Sequence, residues 1–105
     1  MTDYINISLK LAESIDYADD SVVSKIIYKN EHTILTLFAL SQGQSIAEHT
    51  TPFDALVQIL DGEAEISIGG KKSQFKSGES IIMPANTPHA LYAKTPYKML
   101  LTMMK

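Results

Sequence analysis

The chain has 105 residues, 45% hydrophobic and 20% charged, a net charge of -3 and no cysteine. That length suits one domain with one core, the composition excludes a disordered chain, and the missing thiols exclude disulfides, thiolate metal sites and cysteine nucleophiles. Every basic residue is a lysine, so the bidentate guanidinium fork that reads phosphates and guanine edges is absent, and nucleic acid is not an expected partner.

The start, Met1-Thr2-Asp3-Tyr4-Ile5-Asn6, carries an acid where a signal peptide is basic, and no apolar run nears membrane-spanning length. A cytoplasmic chain with no membrane partner is the expectation. Residues 1–20 read as an N-terminal covering segment and residues 21–104 as a barrel, together one domain over 1–105. From Asn6 to Tyr17 the pattern is weak, and Leu9, Leu11, Ala12 and Ile15 suit either a short helix or an irregular strand.

From Ser21 the chain turns β-rich. Val22–Tyr28 is β-branched and aromatic, Lys29-Asn30-Glu31 predicts a hairpin turn, and His32–Leu40 returns with apolar residues at both parities, so both its faces need cover. Ser41-Gln42-Gly43-Gln44 is a turn leading into Ser45–His49, and Pro52 places that segment at a sheet edge or bulge. Asp54–Leu60, Asp61-Gly62 and Glu63–Ile68 predict a strand, a two-residue hairpin loop and a returning strand with Ala64, Ile66 and Ile68 inward. Gly69-Gly70 predicts another hairpin before Lys71–Lys76. Ser77-Gly78-Glu79 turns into Ser80–Met83, Pro84–Pro88 is a constrained loop, and His89–Lys94 and Lys98–Met104 are the last strands. Eight or more short strands with almost no helix predict an all-β sandwich or barrel.

The two halves of this pattern resemble the motifs of the cupin superfamily. In the first motif Gly43 and His49 fit the opening and Gly62 closes it, while Thr51 stands at the second histidine position and Ala55 at the glutamate. In the second, Gly78, Pro84 and His89 match, while Asn86 replaces a glycine and Ala93 an asparagine. Together the motifs run from Gly43 to Ala93. The resemblance is to the small, mostly uncharacterised single-domain cupins. It implies a jelly-roll β-barrel in which His49 and His89 converge from different strands, and it implies a homodimer. It also implies a divalent metal ion (zinc, nickel, manganese or iron), here weakly held because His49 and His89 alone survive of the ligand set.

Alternation from His49 places Thr51, Phe53, Ala55, Val57 and Ile59 on the inner wall, with Leu91 and Ala93 following His89. Two imidazoles in an apolar cavity are a composition for a small-molecule ligand. His32 has no partner in the pattern and reads as a surface residue. The outward residues Leu56 and Leu60 and the two-sided last strand also need cover, from a second subunit or from residues 6–28. Three functions stay open: a small-molecule-binding cupin, enzymatic or not, a non-catalytic ligand-binding or sensing module, and a structural homodimer with a filled barrel and no metal.

Overall fold

A computed structural model describes residues 4–105. Its strands are β1 (Val22–Lys29), β2 (Thr33–Leu40), β3 (Ser45–His49), β4 (Asp54–Ile68), β5 (Lys71–Lys76), β6 (Ser80–Met83), β7 (His89–Tyr92) and β8 (Tyr97–Met104). All their pairings are antiparallel. The β1–β2 hairpin forms as predicted, and Asn30 closes it: its side-chain oxygen accepts the backbone N–H groups of His32 and Thr33, each at 2.8 Å. Of the two readings for the N-terminal segment, the short helix is found, as a single-turn 3-10 helix at Leu11–Glu13.

The Asp61-Gly62 hairpin does not form. Residues 54 to 68 are one continuous strand, β4, whose first half pairs with β8 and β6 and whose second half pairs with β5 and β7. The chain therefore has two layers, β1-β2-β8-β4-β6 and β3-β7-β4-β5, joined through β4 as a jelly-roll barrel. Between Ile59 and Asp61 the register with β8 slips, a β-bulge that exchanges inner and outer parity. Ala55, Val57 and Ile59 are buried before it, and Ala64 and Ile66 after it. A glycine with positive φ between two alternating runs has the same local signature in a tight hairpin and in a bulge. The strands that compete for pairing decide which one forms.

The main core lies between the layers and contains Val57, Ile59, Ala64, Ile66, Leu91, Ala93, Tyr97 and Met99. A second core lies on the outer face of the larger layer, where Leu37, Ala39 and Leu100 pack with Ile15 and Ile27, joined by Leu9, Leu11 and Leu60. Residues before Ser21 thus cover much of the face that carries Leu60 and Leu100. Polar contacts hold them there: Lys98 Nζ donates to the Ala12 carbonyl (2.6 Å), Lys25 Nζ to that of Ser14 (3.2 Å), and the Tyr17 hydroxyl to the Asp61 carboxylate (2.6 Å). Among the described residues no helix is long and apolar enough to cross a membrane.

Candidate functional site

His49 ends β3 and His89 begins β7, and the two are register partners across that pair. From Ile46 to His49 strand β3 advances three residues while β7 advances two, from Leu91 to His89. This bulge places His49 on the same side as Ile46, which strict alternation would put on opposite faces. The loop after Met83 sets the other ring. Asn86 takes a φ of 60°, the left-handed conformation that asparagine tolerates where the motif has glycine, and its N–H donates to the Thr51 carbonyl at 2.7 Å. Asp54 ties down the same loop by accepting the Ala85 N–H at 2.7 Å.

The two Nε2 atoms are 3.1 Å apart, with ring centroids at 4.3 Å and planes crossed at 70°. Each Nδ1 faces a carbonyl, that of Ala47 at 2.8 Å for His49 and that of Thr87 at 3.3 Å for His89. A carbonyl only accepts, so with Nδ1 carrying the proton on both neutral rings the two Nε2 atoms meet as two acceptors. That arrangement is relieved by a shared proton, an incoming hydrogen-bond donor or a metal ion.

His49 is exposed and His89 is buried. Burial first, and the neighbouring His49 charge second, push the His89 pKa below the usual imidazole value, against a smaller upward pull from the Thr87 carbonyl. The unfolded chain takes up this proton near about 6.5. Between there and the lower folded value the unfolded state holds more protons, so this contribution to stability is complete above pH ~6.5 and is lost as pH falls through the folded pKa. Urea midpoints measured from about pH 7.5 to 4.5 should fall, and fall less in His89→Gln. Equal falls in both proteins would mean that another group carries the dependence.

Both rings face a cavity of about 160 Å³ that is otherwise apolar, lined by Phe38, Ile46, Met83, Leu91, Met99 and Leu101, with Val22 also on its wall. Of the predicted wall only Leu91 lies here. Ala55, Val57, Ile59 and Ala93 are buried in the main core, packed against their neighbours. Thr51 is turned into its own loop, its hydroxyl donating to the Phe53 carbonyl at 2.9 Å, and Phe53 does not line the cavity. The predicted wall runs one alternation from His49 through to Ile59, but β3 ends at His49 and β4 starts at Asp54, so the loop between them separates Ala55, Val57 and Ile59 from the histidine's side. The strands that supply Val22, Phe38, Met83, Met99 and Leu101 were legible, but which face of each meets the histidines was not. His32 lies away from the site, exposed beside Glu31 at 3.9 Å. Wider clefts of about 340 and 440 Å³, at Ser45–Tyr92 and Tyr17–Pro96, do not reach the histidines.

Two antiparallel layers sharing one long bent strand, with paired histidines facing a small apolar cavity between them, define a jelly-roll barrel with a site inside it. The chain belongs to the cupin domain family, whose model matches residues 36–103. It is similar in structure to a conserved protein of unknown function from Streptococcus pyogenes, at 37% identity over 95% of this chain and 88% of that one, with a TM-score of 0.89. It also resembles a Cupin 2 conserved barrel domain protein from Leptotrichia buccalis, at 39% identity and a TM-score of 0.87, over 90% of this chain and 46% of that one. A cupin superfamily protein from Desulfitobacterium hafniense is similar at 28% identity and a TM-score of 0.88, over 94% of this chain and 91% of that one. No curated protein matches the chain.

Proposed function

We propose that the barrel binds one small, largely apolar molecule in the cavity, with the His49–His89 pair holding its polar end. The observation that carries this is the pair of Nε2 atoms 3.1 Å apart, facing a cavity of about 160 Å³ whose other lining is apolar. At the ~30 Å³ that a water takes up in the liquid, the space suits a ligand of roughly five to eight non-hydrogen atoms. No carboxylate lines the cavity among the described residues to orient the imidazoles for proton transfer. Binding or sensing therefore has more support than catalysis.

A divalent ion at the pair is the second reading. Both nitrogens can reach one ion at the ~2.0–2.1 Å of a zinc–imidazole bond. Among the described residues, however, there is no group of three or more His, Cys, Asp or Glu side chains that could hold a metal. Zinc, nickel, manganese or iron would complete its shell from water or from the bound molecule, and weakly.

The experiment is an NMR titration with small phenols and short-chain carboxylic acids. Shifts are expected at the Ile46, Leu91 and Leu101 methyls and at both histidine rings, with about tenfold weaker binding in His89→Ala. No shift at millimolar ligand, or equal affinity in the variant, ends the proposal.

We infer a homodimer separately. Val22 and Ile26 are 37% and 41% exposed on β1, a strand that ends its layer with one edge unpaired among the described residues. Sedimentation velocity finding only monomer at high micromolar concentration would remove it.

A further inference from the structure

Besides the two imidazoles, the cavity is lined by two thioethers, Met83 and Met99. We propose that these four side chains form a soft-metal site selective for monovalent copper over divalent cations, an inference that rests on the His49–His89 pair being a binding site.

Three observations lead there. First, Met83 and Met99 both line the cavity and are only 2% and 1% exposed, so these two thioether side chains are buried beside the histidines and not spread over the surface. Second, Met83 is the register partner of Ala55 across β4 and β6. Ala55 occupies the motif position of a carboxylate, and directly paired residues have Cβ atoms about 4.5–5.5 Å apart. With alanine there, no hard, anionic oxygen stands beside Met83, a long, neutral, polarizable side chain. Third, the Ala47 and Thr87 carbonyls hold both Nδ1–H groups, which leaves both Nε2 atoms, 3.1 Å apart, as free donors to a metal.

The donor set decides the metal. Thioether sulfur and imidazole nitrogen together suit Cu(I), whereas oxygen-seeking ions find no oxygen donor among the described side chains that line the cavity. Charge acts in the same direction. The four donors are neutral, and the cost of burying an ion grows with the square of its charge, so a divalent cation is penalised about fourfold more than a monovalent one. The remaining wall is hydrocarbon, so only water arriving past the exposed His49 can offset that difference.

The test is an anaerobic titration of the full chain with Cu(I) against bicinchoninate, run beside a Zn(II) titration, with copper K-edge absorption on the loaded wild type. One Cu(I) per chain is expected, held by both nitrogen and sulfur neighbours. Met83→Leu/Met99→Leu, which nearly conserves volume, should weaken Cu(I) by about tenfold or more and leave Zn(II) unchanged. His89→Ala should weaken both. A nitrogen-only shell, a double variant that binds Cu(I) as wild type does, or tighter Zn(II) than Cu(I) overturns the copper site. If no copper binds while phenols still shift the histidine rings, the copper site alone fails. If neither binds, the ligand pocket beneath it fails too.

Discussion

Gly62→Ala is expected to cost about 3–5 kcal/mol, the sum of a left-handed backbone penalty and a clash that flexible side chains cannot absorb. Gly62 has a φ of +75°, and a Cβ there would fall inside the contact radius of the Pro96 carbonyl oxygen and 3.1 Å from the Tyr97 Cα. Both neighbours are backbone, so relief requires separating β4 from the start of β8 where β4 passes between layers. The controls are Gly43→Ala and Gly70→Ala. Their φ values are +86° and +83°, but nothing lies within 4 Å of the added atom, so each should lose only about 1–2 kcal/mol. Urea midpoints for the three variants separate conformational strain from close approach. If Gly62→Ala is as mild as the controls, the crossing of β4 and β8 is looser than described.

Tyr97 should give opposite results for two substitutions. It is fully buried in the main core, and its hydroxyl has no hydrogen-bond partner among the described residues. Burial in this apolar setting raises its pKa and keeps it neutral throughout the working range. Tyr97→Phe removes a donor that lost water and gained nothing, and should stabilise the chain by about 1 kcal/mol. Tyr97→Ala leaves a ring-sized void and should cost about 3–5 kcal/mol. Thermal unfolding of both variants is the measurement. A loss of about 1 kcal/mol or more in Tyr97→Phe would show that the hydroxyl is satisfied in solution.

Most of the strands could be read from β-branched and aromatic runs between turn residues, because those signals are local. The β1–β2 hairpin formed where Lys29-Asn30-Glu31 reads as a turn, displaced by one residue, with Asn30 at its head. His49 and His89 were also legible, since glycine, proline and histidine at matching spacings in two motifs are specific. Asn86 shows why a departure from such a motif can be harmless: the position needs a positive φ, and asparagine supplies it.

What the chain determined by itself is the placement of most strands, the pair of histidines and the loss of other motif ligands at Thr51 and Ala55. Tertiary structure alone decided which side chains face those histidines. A β-bulge is chosen by the strands that compete for pairing and not by the residues within it, and each bulge reverses inside and outside from that point on. The slip in β3 brought Ile46 to the side of His49, the pairing of β4 with β8, β6, β5 and β7 made one strand of an apparent hairpin, and the packing of the two layers set Met83 and Met99 on the cavity wall.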